Sequence, residues 1–350
     1  MCARWCFAFS LPDVSGSAEK APRPRARSFR HHGPARAVAS LAGAGLLTKC
    51  RTRRTERQFP PTGTFVQVGG VRVHVVERGA GRPVVLLHGL RGSTRDFEYS
   101  ILDSLGTGYR AIAVDRPGYG YSERPANEHG SPLTQAELLH ATLQQLGVER
   151  PVVVGHSMAA AAALAYGVLY PGDTAAVVTL CGHVLPFDGM AGPLATLVTT
   201  PLAGPLLART VLAPLGLLVA PALLRHVFKP QQPPAGYARA AALLALRPAT
   251  FIASAQDRRY FDRGLRQIYR DFPGLRAPLV IVTGRADHVL SPSESLSLHR
   301  LVPGSEFVEL PTSGHMPHFA DPAAVLDAID RAWQLAGDGD HPAEPAKPRT

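Results

Sequence analysis

Cysteine is scarce in this chain of 350 residues: Cys2, Cys6 and Cys50 lie near its start and Cys181 stands alone in the rest. That distribution builds no disulfide framework and fits a reducing compartment. No Cys/His cluster has metal-ligand spacing, and no glycine-rich loop carries the lysine that cradles a phosphate. A protein without metal or cofactor is expected. Charge imbalance is also missing from most of the chain. Residues 1–58 carry ten Arg and two Lys against Asp13, Glu19 and Glu56, which is nine of the ten net positive charges. A body so nearly neutral argues against nucleic acid as the partner. Long unbroken apolar runs are absent as well. The stretch from Gly189 to Leu224 contains one charged residue, Arg209, yet Pro193, Pro201, Pro205, Pro214 and Pro221 cut it into pieces. Short helices folded over a sheet suit it better than membrane spans.

What is present is a globular composition, 45% apolar with both charge signs, in a chain long enough to bury a large core. The basic residues 1–58, with "PRPRARSFRHHGPAR", are expected to form a disordered extension. Inside it, the twelve uncharged residues "AVASLAGAGLLT" have the length of a signal-peptide core and are too few to cross a bilayer. The charged "KCRTRRTERQ" follows where a small-residue cleavage site would be needed, and the lysine before Cys50 argues against lipid attachment there. Three readings stay open for this segment: a floppy extension, an upstream stretch included by a misplaced start, or a short basic-amphipathic contact with a membrane. Residues 337–350 are expected to be a disordered tail.

Strand signals begin near Phe59. "TFVQVGGVRVHVVERG" reads as two alternating strands joined through Gly69-Gly70. Apolar runs of buried-strand length follow at 83–89, 109–115, 151–157, 175–180, 278–284 and 305–310, most of them separated by helical patterns. Such alternation predicts an α/β fold with a mostly parallel central sheet and helices on both faces. The expected division is a core in two parts, 59–182 and 273–336, with a helical cap inserted over 183–272. Ligands of parallel sheets bind at the carboxyl ends of strands, and His88, Asp115, Ser157 and Asp287 each fall at or just past one.

The stretch "VVVGHSMAA", Val152–Ala160, places a serine between a strand and a helix. A serine that merely caps the helix would account for Ser157 alone. The whole pattern, Gly155-His156-Ser157-Met158-Ala159, has the context of a nucleophile elbow, where a sharp turn lifts the hydroxyl out of the sheet. Alanine at 159 replaces the usual last glycine and keeps the packing tight. Serine needs a base, and the base an orienting acid. Asp287 follows the strand "PLVIVTG" and His315 lies in "PTSGHMPHF", so the three occur in the order Ser, Asp, His on loops leaving strand ends. His318 is the nearest rival base. Backbone N–H groups of Met158, after the serine, and of Leu90, in "HGLRG", are the candidate oxyanion donors. His88 ranks as a residue that shapes this loop rather than as a base.

With "VVLLHGLRGS", "VDRPGYGYS", "VVVGHSMA", "VTGRADHVLSP" and "GHMPHFADP" in this order, the chain from about Phe59 to Leu335 resembles the serine-nucleophile branch of the α/β-hydrolase fold family, and bacterial esterase- and lipase-like members in particular. The resemblance implies Ser157 as nucleophile, His315 as base, Asp287 as its acid, Leu90 and Met158 as oxyanion donors, and His88, Gly89 and His156 around the oxyanion loop and pocket. Relatives with an aspartate nucleophile are dehalogenases and epoxide hydrolases, and a serine at 157 argues against both. The expected substrate is a small-molecule carboxylic ester with a hydrophobic acyl chain. C–C bond hydrolysis, cofactor-free perhydrolysis, acyl transfer and non-catalytic ligand binding are the alternatives. The expected location is cytoplasmic, with the N-terminal segment or the cap as candidate peripheral membrane contacts.

Overall fold

The computed structural model describes residues 33–125, 130–187 and 192–337, with side chains from residue 40 onward. Eight strands form one sheet: β1 (Thr64–Val68), β2 (Val71–Arg78), β3 (Pro83–Leu87), β4 (Arg110–Val114), β5 (Val152–His156), β6 (Ala176–Leu180), β7 (Leu279–Gly284) and β8 (Glu306–Leu310). Their spatial order is β1-β2-β4-β3-β5-β6-β7-β8. The hairpin of β1 and β2 is antiparallel, β2 runs antiparallel to β4, and every later pairing is parallel. Gly69 and Gly70 both have positive φ, the conformation that a two-residue turn between such strands demands.

The helices are α1 (Gly33–Gln58), α2 (Arg95–Glu98), α3 (Leu102–Leu105), α4 (Pro132–Gln145), α5 (Ala159–Leu169), α6 (Pro193–Val198), α7 (Ala203–Leu207), α8 (Ala213–Phe228), α9 (Ala235–Ala245), α10 (Pro248–Ile268), α11 (Pro292–Leu301), α12 (Pro317–Ala320) and α13 (Pro322–Ala336). A π-helical turn, Ala208–Leu212, joins α7 to α8. Residues of β3, β5, β6 and β7 are buried at every position, so both faces of the sheet are covered. Alternation divides them: Val85, Val153 and Ile281 pack towards α4, α5 and α10, whereas Leu86, Val154 and Val282 pack towards α2, α3 and α13. Continuous apolar strands with helices on both sides are the arrangement in which no strand face needs to be polar.

Connections on one side of β3 lead to β4 and on the other side to β5, so the loops after β3 and β5 flank a crevice at the sheet's carboxyl edge. Between β6 and β7 stand only helical elements from α6 to a 3₁₀ turn at Tyr269–Gly274, among the described residues. The N-terminal segment departs from expectation. Residues 33–58 are helical, and from Gly45 onward the helix packs on the insertion. Arg51 Nη2 donates to the Ala213 carbonyl at 3.3 Å, Glu56 pairs with Arg247, and Thr48 and Thr55 are buried. A basic composition suggested a floppy tail, but small side chains at Gly45, Thr48 and Thr55 line one helical face and allow close docking. Residues 1–32 and 338–350, where the remaining tail expectations fall, lie outside the described residues.

Candidate active site

Ser157 directly follows β5 and has φ of +55°, a backbone region that costs a non-glycine residue roughly 1–3 kcal/mol and persists where the surroundings enforce it. Those surroundings are hydrogen bonds: the Ser157 N–H donates to Leu180 C=O at 2.9 Å, and the Ser157 C=O accepts from Ala160 and His183 N–H groups. Close packing adds to them. A Cβ on Gly155 would meet Ala159 O at 2.5 Å and Ala160 Cα at 2.7 Å, so strand and helix touch at backbone distance on either side of the serine. Ala159 is fully buried.

His315, on the loop after β8, brings Nε2 to 3.1 Å from Ser157 Oγ, and its Nδ1 lies 2.8 Å from Asp287 Oδ2. A carboxylate only accepts, so Nδ1 carries the proton and Nε2 is the free acceptor facing the serine hydroxyl. Asp287 is itself held: its Oδ1 accepts from the N–H groups of Val289 at 2.7 Å and Leu290 at 3.0 Å. Ser157 and His315 are both buried. Behind them, ligand-type atoms of Cys181, Asp287 and His315 fall within 4.8 Å of one another. This donor set does not fit a metal. The Asp287 and His315 atoms already bond to each other, and burial pushes the Cys181 thiol well up, away from the thiolate that ligation requires.

The loop after β3 faces the serine. A Cβ on Gly89 would stand 3.1 Å from Ser157 Cβ and 3.0 Å from His156 Nδ1. The Gly89 carbonyl accepts from His88 Nδ1 at 2.8 Å, Arg116 Nη2 at 3.1 Å and Gly92 N–H at 3.2 Å. Because the peptide is planar and trans, those three donors also set the direction of the Leu90 N–H, opposite to that carbonyl. Among the described residues neither the Leu90 nor the Met158 N–H has an internal acceptor. The start of α5 lies next to Met158, and its unpaired N–H groups favour negative charge. His88 receives the Arg116 N–H on Nε2 at 3.0 Å, and burial, reinforced by the Arg116 charge, pushes its pKa down to about 4. It is a neutral strut of this loop. His156 donates Nε2–H to the His315 carbonyl at 2.8 Å, and burial holds it well below the usual imidazole range.

His318 is not placed on the serine. Its ring packs edge-on against His156, with centroids 4.8 Å apart, and lies 5.3 Å from Phe97; burial lowers its pKa to about 3. Asp115, also at a strand end, accepts from Thr94 and Tyr121 N–H groups and contacts His74 Nδ1 at 2.7 Å, so it shapes the next turn of the β3 loop. Sequence inspection missed Asp257 entirely. On α10 it is fully buried and takes Arg116 at 3.1 Å, Arg124 at 2.6 Å and the Tyr119 hydroxyl at 2.9 Å, binding the insertion to the core beside the site. Nothing in the amphipathic "SAQDRRYFD" marks it out. Leu217 on α8 is 39% exposed, and Leu212 packs with Val198 and Phe251 inside the insertion.

Known proteins resemble parts of this chain. Over 134 residues the chain is 31% identical to a bifunctional epoxide hydrolase of Mus musculus, covering 38% of this chain and 24% of that protein. Over another 134-residue match it is 28% identical to a 2-hydroxy-6-oxo-6-phenylhexa-2,4-dienoate hydrolase of Burkholderia cepacia, covering 36% of this chain and 47% of the relative. The chain thus spans less than half the length of either relative. Among solved structures, an esterase from Exiguobacterium antarcticum superposes with a TM-score of 0.64 at 22% identity, over 78% of this chain and all of that one. Residues 82–322 match the family profile described as alpha/beta hydrolase fold, well over half of the chain, and with the sheet order and the elbow they mean that this protein belongs to the alpha/beta hydrolase fold family.

Proposed function

We propose that the protein is a serine hydrolase that cleaves carboxylic esters with hydrophobic acyl chains. The observation that carries the reading is the continuous chain from Ser157 Oγ through His315 to Asp287, at 3.1 and 2.8 Å, with the serine on a strained elbow. In this reading 59–182 and 273–336 form the catalytic core and 183–272 is its cap. His315 Nε2 takes the hydroxyl proton as Ser157 Oγ attacks the ester carbonyl. Asp287 holds the imidazole in the required tautomer and stabilises the imidazolium. The Leu90 and Met158 N–H groups receive the oxyanion, and the imidazolium returns its proton to the departing alkoxide. Water, deprotonated by the same histidine, then releases the acid from Ser157.

Relatives called epoxide hydrolase and dienoate hydrolase share the fold without deciding the bond broken. A serine at 157 favours an acyl-enzyme. The hydrophobic acyl preference is supported by the apolar insertion, where Phe251 packs with Ala195 and Val198 and Arg91, next to Leu90, stacks over Phe251 at 4.7 Å. The partner required is a small-molecule ester, and the location proposed is the cytoplasm, in line with free thiols at Cys50 and Cys181. A series of p-nitrophenyl esters of graded chain length tests this reading. Each buried methylene is worth up to about 0.8 kcal/mol, so kcat/KM should rise roughly tenfold for two added methylenes until the pocket fills. A preference for acetyl or for charged acids across the series would overturn it.

A further inference from the structure

Among the described residues, most exposed large apolar side chains lie on the insertion and α1. Leu202, Leu206, Leu215, Leu218, Val219 and Leu223 face outward along α7 and α8, with Leu202 88% and Leu218 79% exposed. Outside the insertion and α1, the other exposed large apolar residues among those described are scattered: Phe65, Tyr99, Leu169 and Val289. A contiguous apolar face of this kind is normally covered by a partner.

Helix α1 extends the face. Gly45 lies 3.8 Å from Thr210 Cγ2, measured from the position of an added Cβ, and Arg51 reaches the Ala213 carbonyl, so α1 runs beside the π turn and the start of α8. On its outer side it presents Leu46 and Leu47, 63% and 72% exposed, then Lys49, Arg53, Arg54 and Arg57. Apolar residues followed by a cluster of cations are the two halves of a lipid-interface helix. The charge of the insertion agrees. From Asp188 to Asp257 no acidic residue intervenes, while the exposed Arg209, Arg225, Lys229 and Arg239 do.

The segment Ala203–Phe228 is long and apolar enough to cross a bilayer. Its packing says otherwise. Gly204, Ala208, Ala213, Gly216 and Phe228 are buried on the body side, and Phe228 packs with Tyr237 and Met316. The π turn takes up one residue, so that the buried positions before it and after it stay on one side. A helix pinned along one stripe and bare along the other lies in an interface rather than through it.

The geometry points to a docking surface for an anionic lipid bilayer, formed by the outer side of α7–α8 and the exposed side of α1, with the leucines entering the acyl boundary and the α1 cations meeting acidic headgroups. The surface stands independently of the ester reading, because none of its residues belongs to the Ser157 site.

The test is co-sedimentation of the full chain with vesicles of phosphatidylcholine alone and of phosphatidylcholine with phosphatidylglycerol. Wild type should bind the anionic vesicles at least tenfold more tightly than the neutral ones, and 0.5 M salt should remove most of that difference. Leu218→Glu/Val219→Glu should weaken binding to both at least tenfold. Arg53→Glu/Arg54→Glu should weaken binding to the anionic vesicles only. Both variants should keep the wild-type circular dichroism and turnover of p-nitrophenyl acetate, and Ser157→Ala should bind vesicles like wild type while failing to turn over. Folded wild type that ignores both kinds of vesicle would overturn the proposal. So would a stable dimer in lipid-free buffer that Leu218→Glu/Val219→Glu dissociates without loss of vesicle binding, which would assign the face to a second copy.

Discussion

The sheet strands and the outer helices of the insertion are written in nearly the same residues, Val, Leu and Ala, and they end in opposite environments. In β3 the run Pro83–Leu87 is buried at every position; in α8, sixteen residues long, only Ala213, Gly216 and Phe228 are. A central strand finds neighbours on two edges and two faces, so its apolar residues have nowhere else to go. A helix on the outside meets the body along one stripe, and the rest of its surface is left to solvent or to a partner. Apolarity measures what a segment can bury; topology determines whether the protein itself buries it.

Variants can break that contrast or sharpen it. The largest effect belongs to the sheet edge: Ser157→Ala or His315→Ala should each lower kcat on soluble esters by on the order of 10⁴-fold or more, about 5.5 kcal/mol, with the denaturation midpoint unchanged. A similar loss from outward substitutions on α8 would mean that the insertion's exterior takes part in the chemistry. Next comes the clamp between the two regions. Asp257→Ala leaves Arg116 buried without its carboxylate and should cost roughly 3–5 kcal/mol in urea unfolding. If the loss is below about 1 kcal/mol, the core does not depend on the insertion for this charge.

A smaller effect separates the regions by pH. His318 is buried in the core with its pKa pushed down from 6.5 to about 3, so the native state binds fewer protons than the unfolded chain between those values. The stability it contributes is complete above pH 6.5 and is lost as pH falls towards 3. Between pH 7 and pH 5 the loss should be about 2 kcal/mol, and His318→Phe should flatten the stability profile by that amount. An unchanged slope would show that the imidazole titrates normally. A matched pair closes on the smallest effect. Leu86→Ala in β3 should cost about 2–5 kcal/mol, whereas Leu218→Ala on α8 should stay within about 0.5 kcal/mol in lipid-free buffer. Equal costs would erase the distinction between the two apolar regions.

Much of the site was legible in the sequence because its residues sit on local signals. Ser157 stands in a strand–turn–helix pattern, and Asp287 and His315 each follow a short apolar strand. The Leu90 loop was legible for the same reason, since strand ends and glycines are visible in one dimension. Asp257 was not, because its importance lies in arginines 133 and 141 residues away and its own helix is ordinary. The helicity of the N-terminal segment was hidden similarly: the composition of residues 40–58 allows solvation or docking equally, and the choice came from a groove that only the folded insertion provides.

By itself the sequence determined the order of elements, the parallel sheet, and which side chains come to its carboxyl edge, because strand periodicity and turn chemistry are short-range properties of the chain. Tertiary structure alone decided the tautomer of His315, the direction of the Leu90 N–H, the neutrality of His88 and His318, and which leucines face outward. Each of these depends on dielectric, hydrogen-bond partners or contacts supplied by segments far away in the chain, and no local pattern encodes them.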